Sequence, residues 1–354
     1  MNDWGREVGS GGKVEASVMV VGDHPGREEI GSGQPFSGQG GRLLDEMLRE
    51  AGIGRGECYL TYAVKVMPKR GVEEWFARSK KAVTGDHTEI QGKMVLEPVM
   101  RGLEKLEKEV RLVKPKVILA VGNVAMWALT GKWGIGAWRG SLLEDRWTGA
   151  RVVPTYAPES VMKQMKMKGI VVHDMRRGKF ELENRTPEPK WEFQIGTSFE
   201  QTMGTLDWLW QKAEFDGPLT LGVDIETAQC HITSIGVAWS ETEMLWIPFL
   251  LERMNVYWGE VEEKEVVWGL YKLFTHRNVI CTGHNFGYDC QYLLRRWGWM
   301  PKKVVDTMLW SHTLSNWEKK SLAYVASKHC SHYEFWKNIR GDKEEAEGES
   351  DDVE

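Results

Sequence analysis

Four short apolar runs, separated by segments with helical spacing, constrain the fold of the first half of the chain. Continuous apolar runs of about four to eight residues are typical of buried strands. The four runs are SVMVVG, CYLTYAV, KVILAV and RVVPT, at 17–22, 58–64, 116–121 and 151–155. Helices are predicted between them, at 42–51, 97–113 and 123–130. Strands that alternate with helices predict an α/β domain with a mainly parallel sheet.

The second half of the chain has a different pattern. Its apolar runs follow one another without an intervening helix, at 219–226, 232–240 and 244–249. Such runs pair naturally as a meander. A helix over 261–275 and a strand over 278–284 follow. The segment 178–215 holds polar runs and two prolines before a helical patch, and is interpreted as a linker with an entry helix.

Composition narrows the class of protein. Of the 354 residues, 42% are hydrophobic and 27% are charged, which suits a globular protein of two domains. No apolar stretch approaches the roughly 18 residues of a membrane span, so we expect no membrane partner. The five cysteines are scattered without a CxxC pair, which favours reduced thiols. The last fourteen residues, 341–354, hold eight acids and one lysine and are predicted to be disordered.

Three carboxylates in the second half suggest a metal site. Asp224 and Glu226 lie two residues apart in GVDIET, at the end of an apolar strand. Alternation along a strand puts both side chains on one face, where the two negative charges repel each other. Asp289 follows in HNFGYD, where a helix begins after a strand. Oxygen ligands of this kind suit Mg²⁺ or Mn²⁺.

The order of these motifs resembles the DEDD family of 3′–5′ exonucleases, in the form carried by phage-type family A DNA polymerases. DIET matches the first motif and HNFGYD the second, and VVDTMLWSHTL and KKSLAYVASKH match the segments that follow. The resemblance implies an RNase H-like exonuclease fold, with a mixed sheet and helices, over 216–340. It also implies a set of site residues. Asp224, Glu226 and Asp289 would be catalytic and bind two metal ions, and Asn285 and Tyr288 would hold the end of the DNA strand.

The same family has a third motif, Tyr-x-x-x-Asp, that supplies a further carboxylate. Here Tyr333 is followed four residues later by Lys337. The sequence therefore predicts an incomplete exonuclease domain that is weak by itself. If another acid completes the site, the acidic residues Asp342, Asp351 and Asp352 are the candidates. We also expect a downstream DNA polymerase domain or subunit as a partner.

A second resemblance covers the first half of the chain. GDHPGREEIGSGQPFSGQGGRLLDEMLREAGI, at 22–53, combines a glycine-rich loop with Asp23 and Phe36 at the end of a strand. This run resembles the first motif of the iron–sulfur type of uracil-DNA glycosylase, and later segments match as well. The family resemblance implies a three-layer α/β/α domain over 1–177. In that family the motif acid assists attack by water, and the aromatic ring stacks on the flipped-out uracil. Those roles map onto Asp23 and Phe36 as substrate-binding residues.

Several positions depart from the glycosylase pattern. The cysteines that would ligate the cluster have no match, since Val66 and Gly102 lie near two of the expected positions, so we predict no iron–sulfur cluster. The family's uracil-reading asparagine corresponds to Tyr62, and its second-motif histidine corresponds to Ala157. The loss of both groups argues against uracil excision.

The sequence thus leaves a choice of function. The preferred one is a DNA replication and proofreading component with a metal-dependent exonuclease domain and a degenerate, DNA-binding glycosylase-like domain. The alternatives are a non-catalytic DNA-binding or processivity module, and an active uracil-DNA glycosylase. DNA, as a single-stranded 3′ end or a primer–template, is the expected partner, and the cytoplasm, or host cytoplasm for a viral protein, is the expected location. Clustered basic residues are phosphate-binding candidates or simply solvated surface: Lys65, Lys69, Arg70, Lys163, Lys166 and Lys168.

Overall fold

The structure, a computed structural model, describes residues 4–77, 79, 82–251 and 255–335. The predicted acidic tail and its candidate aspartates lie outside the described residues. The chain divides into two compact units. The first unit comprises 1–187 together with 326–354, and the second comprises 188–325.

The first unit is built on a mainly parallel sheet. Among the described residues its strand order is β2-β1-β5-β7-β6, and β6 alone pairs antiparallel. A separate hairpin is formed by β3 and β4. The strands of this unit are β1 Val18–Gly22, β2 Cys58–Tyr62, β3 Thr88–Ile90, β4 Lys93–Val95, β5 Val117–Val121, β6 Leu143–Glu144 and β7 Arg151–Thr155.

Helices cover both faces of this sheet, because the central strands β1 and β5 present apolar side chains in both directions. On β1, Met19 and Val21 pack with α3 and α4, whereas Val18 and Val20 pack with α2 and α7. This arrangement confirms the three-layer α/β/α prediction. The helices are α1 Arg27–Ser32, α2 Gln39–Glu50, α3 Glu97–Val113, α4 Asn123–Thr130, α5 Ile135–Trp138, α6 Pro158–Lys163 and α7 Lys168–Asn184.

The segment interpreted as a linker differs from that expectation at its start. Residues 178–184 continue α7, whose inner face includes the buried acids Asp174 and Glu181. Arg139 pairs with Asp174, and Arg151 pairs with Glu181, both in ion pairs almost fully shielded from solvent. The acids of α7 make this segment look solvent-exposed in the sequence. They are buried in the fold because each pairs with an arginine that is distant in sequence.

The second unit is built on a mixed sheet, as predicted. Its strand order among the described residues is β13-β12-β9-β10-β11-β8. The central β9, β10 and β11 are antiparallel, and β12 runs parallel to β9. The edge strand β8 lies within the segment interpreted as a linker. The strands are β8 Glu192–Gln194, β9 Leu219–Ala228, β10 His231–Ala238, β11 Glu243–Pro248, β12 Val279–Gly283 and β13 Val304–Asp306.

Two long helices, α8 and α9, pack on this sheet and enclose the core of the unit with side chains such as Leu209, Leu270 and Ile235. The boundary between the units, after Val325, falls within α12. Within the described residues, no helix is both long and apolar enough to cross a membrane. The helices are α8 Phe199–Phe215, α9 Glu260–Phe274, α10 Gly287–Trp297, α11 Thr307–Leu314 and α12 Leu322–His329.

Candidate functional sites

Three carboxylates of the second unit lie on β9 and at the start of α10. Asp224 and Glu226 both lie on the solvent-exposed face of the strand, while Val223 and Ile225 point into the core. Asp289 lies in the first turn of α10 and is only 5% exposed. Its Oδ1 accepts a hydrogen bond of 2.9 Å from the backbone N–H of Ile225. Asp289 is therefore held against the backbone between the two strand carboxylates.

The electrostatics of this group disfavour three simultaneous negative charges. Burial raises the pKa of Asp289 to about 6, and the charge of Asp224 contributes to the rise. Burial also raises the pKa of Asp224, and the neighbouring Glu226 adds to that effect. A group of carboxylates that repel one another in this way is stabilised by a bound cation.

The fit to a metal ion can be judged from the same residues. The side chains offer only carboxylate oxygens, which are suitable ligands for Mg²⁺ or Mn²⁺. The described residues nevertheless contain no group of three or more His, Cys, Asp and Glu side chains arranged to hold a metal ion. One oxygen of Asp289 is already bonded to the Ile225 amide. The carboxylate oxygens are thus suitable ligands for a divalent cation, but the three side chains are not arranged as a complete coordination site.

Asp306 shapes this site, a role that the sequence did not reveal. Its carboxylate accepts hydrogen bonds from the backbone N–H groups of Asn285, at 3.1 Å, and Phe286, at 2.9 Å. It also caps α11 by accepting from the N–H groups of Met308 and Leu309. Asn285 has φ +57°, which is unusual for a residue other than glycine. Asp306 thus holds the turn that leads into α10 and Asp289.

Tyr288 lies on the exposed side of this turn. Its side chain is 45% exposed, and its hydroxyl is 2.8 Å from the hydroxyl of Thr227 on β9. Its ring packs on Tyr292, with centroids 4.9 Å apart. Behind the turn, Nε2 of His284 is 2.7 Å from the backbone carbonyl oxygen of Lys320. An exposed ring close to Asp224 and Glu226 is available to contact a substrate.

Asp23, at the end of β1 in the first unit, forms the second carboxylate site. Its Oδ1 accepts a 2.8 Å hydrogen bond from the N–H of Ala125 at the start of α4. Burial raises the pKa of Asp23 to about 6, while the neighbouring His24 lowers it and Glu159 raises it. Gly122 has φ +128°, and a Cβ there would lie 2.3 Å from Asp23 Oδ1. The close approach of the two loops therefore requires glycine at 122.

Phe36 is packed against Tyr62 in the same region. The ring centroids are 4.6 Å apart, and both side chains are almost completely buried, at 4% and 3% exposure. The N–H of Phe36 donates to the Tyr62 hydroxyl at 2.9 Å. The backbone of Phe36 has φ +51°, in the left-handed region. A Cβ on Gly22 would lie within 3 Å of both rings. The tyrosine ring and hydroxyl therefore occupy the space beside Phe36.

Two of the proposed phosphate-binding lysines are engaged by acids. Lys65 is 4% exposed, and its Nζ lies 2.7 Å from Glu109, so the idea that it meets phosphates is wrong. Burial of a lone ammonium group is costly, and the carboxylate explains its inward position. Lys168 contacts both Glu46 and Glu50 at 2.6 Å. The remaining cluster members are exposed: Lys69, Arg70, Lys163 and Lys166.

Known proteins resemble the two units separately. Residues 8–176 match the uracil DNA glycosylase superfamily, and residues 206–351 match a 3′-5′ exonuclease family. A type-4 uracil-DNA glycosylase of Thermotoga maritima is 28% identical over 173 residues, which cover 48% of this chain and 79% of that protein. A DNA polymerase of Bacillus phage SP01 is 24% identical over 222 residues, covering 62% of this chain and only 22% of the polymerase.

Solved structures add little beyond this. NrnC of Brucella melitensis with bound Mg²⁺ is 17% identical, with a TM-score of 0.26, and the match covers 32% of this chain and 53% of NrnC. The catalytic core of RRP6 from Trypanosoma brucei is 12% identical, with a TM-score of 0.34, and the match covers 44% of this chain and 38% of RRP6.

The chain therefore combines a region similar to the uracil DNA glycosylase superfamily with a following region similar to a 3′-5′ exonuclease family, and part of a phage DNA polymerase is similar to it in sequence.

Proposed function

We propose that the second unit removes nucleotides from the 3′ end of DNA in a reaction that depends on Mg²⁺ or Mn²⁺. The observation that carries this proposal is the bond of Asp289 to the backbone of β9 between Asp224 and Glu226, with the pKa of Asp224 and of Asp289 raised. Perturbed carboxylates at an exposed strand end are typical of a catalytic site. A purely structural cluster would be neutralised by nearby arginine or lysine, and none of the described ion pairs involves these three acids.

In this proposal each residue has a separate task. Asp224, Glu226 and Asp289 would hold the divalent cation, which supplies an activated water and stabilises the leaving oxygen of the phosphodiester. Tyr288 contacts the terminal nucleotide from its exposed position, and Asn285 lies in the turn that Asp306 fixes. Asp289 remains aligned through its bond to the Ile225 amide, which leaves its second oxygen for the cation.

The exonuclease proposal predicts loss of activity when the cluster is broken. A 3′-labelled single strand is incubated with the chain and Mg²⁺, with Asp224→Ala as the test variant. The exposed Glu265 on α9 provides a matched control, Glu265→Ala. We expect a decrease of about 10²-fold or more for Asp224→Ala and none for the control. Equal activity of all three proteins would refute the proposal.

We also propose that the active site draws a further carboxylate from a downstream polymerase polypeptide. Within the 354 residues, no Tyr-x-x-x-Asp follows Tyr288. A site with fewer carboxylates holds its cations less tightly and positions water less well. The chain alone should therefore digest DNA weakly, and a polypeptide that carries the missing motif should increase the rate. Full-rate digestion by the chain alone would contradict this part of the proposal.

For the first unit we propose DNA binding without uracil excision. Tyr62 covers Phe36 and fills the space in which a flipped-out base would stack. Ala157 also has no group that could donate a hydrogen bond to a departing base from its side chain. A uracil-containing oligonucleotide treated with the protein and then with alkali should remain intact, while mobility shift at low salt should show binding. Cleavage that disappears in Asp23→Ala would refute the first claim, and absence of binding would refute the second.

The same unit is proposed to lack an iron–sulfur cluster. Such clusters are held by cysteine thiolates. The cysteine nearest the glycosylase motifs, Cys58, is buried in β2, and burial raises the pKa of its thiol to about 12. A buried thiol of this kind is a poor metal ligand. Iron and sulfide analysis of the purified chain should give neither in stoichiometric amount.

A further inference from the structure

A segment that begins within the last exonuclease-like motif, KKSLAYVASKH, is packed within the first unit. Residues 326–335, which we call the docked segment, are grouped with 1–187 although they come more than a hundred residues later. Ser327 is 1% exposed and Tyr333 is 3% exposed. Burial this complete indicates that the first unit provides a fitted groove for the segment.

One wall of the groove is a buried arginine. Arg139 is 2% exposed, and its guanidinium binds Asp174 of α7 through two nitrogens, with Nε at 2.9 Å from Oδ2. The third nitrogen, Nη1, donates a 2.6 Å hydrogen bond to the hydroxyl of Ser327. The ion pair thus fixes the arginine so that one donor faces the docked segment.

Backbone groups of the docked segment are also recognised. Arg177 of α7 donates to the carbonyl oxygens of Gly140 and Cys330, and so joins the groove to the segment. The N–H of Leu142 donates to the carbonyl oxygen of Tyr333 at 2.9 Å. These bonds do not depend on the side chains of residues 330 and 333.

Two aromatic side chains add specificity at the end of the segment. The Tyr333 hydroxyl donates a 3.2 Å hydrogen bond to the carbonyl oxygen of Ala137 on α5. The ring of Phe335 packs edge-on against Trp138, with centroids 5.5 Å apart. Main-chain bonds that give affinity, combined with side-chain pockets that give selectivity, are the features of a peptide-recognition groove.

We propose that the glycosylase-like unit is a peptide-docking module whose ligand is the segment 326–335 of its own chain. In this function the fold binds the C-terminal part of the exonuclease-like region and recognises Ser327, Tyr333 and Phe335 along it. The proposal goes beyond the exonuclease and DNA-binding functions and depends on neither, so its test uses no enzymatic readout.

The test separates the docked segment from the rest of the chain without unfolding it. A site-specific protease sequence is inserted between Asn316 and Trp317, and the purified full chain is cleaved and passed over a size-exclusion column at micromolar concentration. We expect the C-terminal fragment to co-elute with the larger one. An excess of a synthetic peptide of residues 326–335 should displace it. A fragment that elutes alone from the cleaved wild-type protein would overturn the proposal.

Variants decide whether the groove, and not another contact, retains the fragment. Tyr333→Ala removes the ring and its hydroxyl and should weaken retention by roughly 30-fold, the equivalent of about 2 kcal/mol. Tyr333→Phe keeps the ring and loses one hydrogen bond, so the fragment should remain bound. Because both changes lie in the released fragment, neither alters the sequence of the unit that binds it. Retention that is unchanged in Tyr333→Ala and insensitive to the peptide would also overturn the proposal.

Discussion

The two carboxylate sites of this chain both contain an acid with a raised pKa, but they differ in how exposed the surrounding side chains are. Asp23 in the first unit and Asp289 in the second both have a pKa raised to about 6, mainly by burial. Around Asp289, two further acids face solvent on β9 and Tyr288 is half exposed. In the region of Asp23, the rings of Phe36 and Tyr62 pack against each other and are almost completely buried. The two sites therefore agree in the burial of the acid and differ in the exposure of the residues around it.

The strongest test of this comparison replaces each acid with its neutral isostere. Asp289→Asn should reduce exonuclease activity by about 10²–10⁴-fold, the range typical of one positioned acid–base group. Asp23→Asn should leave the exonuclease rate unchanged, because its carboxylate belongs to the other unit. The rate of release of a labelled 3′-nucleotide measures both variants under the same conditions. Equal losses in both would show that the two sites do not act separately.

The next prediction concerns Asp306, whose carboxylate positions the second site. Asp306→Ala leaves the N–H groups of Asn285, Phe286, Met308 and Leu309 without their acceptor. Loss of a helix cap together with two further bonds should lower the free energy of unfolding by about 2–3 kcal/mol. Urea denaturation measures this loss, and Asp306→Asn, which keeps one carbonyl acceptor, should lose less. An unaltered midpoint for Asp306→Ala would show that the turn does not depend on this residue.

The sequence predicted the shared face of Asp224 and Glu226, but it did not predict the hydrogen bonds of Asp306 that hold the neighbouring turn. Alternation along β9 sufficed to place Asp224 and Glu226 on one face, because the pattern is local. The role of Asp306 depends on the pairing of β13 with β12, which brings residues 285 and 306 together. Likewise, the sequence places Tyr62 at the position of the family's uracil-reading asparagine, but its contact with Phe36 follows from the packing of a strand against a distant loop. The sheets were predictable from local pattern, and long-range side-chain partners were not.

The third prediction concerns the contribution of Asp289 to the pH dependence of folding stability. The pKa of Asp289 lies near 6 in the folded chain, against an ordinary value of 3.8. The folded state therefore favours the protonated acid, and this contribution to stability is full below about pH 4 and lost as the pH rises through about 6. In Mg²⁺-free buffer, Asp289→Asn should remove the loss of stability that occurs as the pH rises through about 6. Its urea midpoint at pH 7.5 should therefore be higher than that of the wild type. Addition of Mg²⁺ should stabilise the wild type more than the variant. A pH profile identical in the two proteins would contradict the raised pKa.

The smallest expected effect tests whether the aromatic pair in the first unit is only a packing feature. Tyr62→Phe preserves the ring contact with Phe36 and removes the hydroxyl that accepts the Phe36 N–H. Because that N–H is buried and Phe36 has a strained backbone, its loss of a partner should cost about 1–2 kcal/mol in the free energy of unfolding. Tyr59→Phe is the matched control, since the Tyr59 hydroxyl donates a hydrogen bond to the hydroxyl of the exposed Ser10 and not to a buried backbone group. We expect the control to change stability by less than about 0.5 kcal/mol.

The uracil assay should stay negative in both variants, because removing a hydroxyl does not open the space that the ring fills. Uracil excision gained by Tyr62→Phe would mean that the hydroxyl, and not the ring, closes the site.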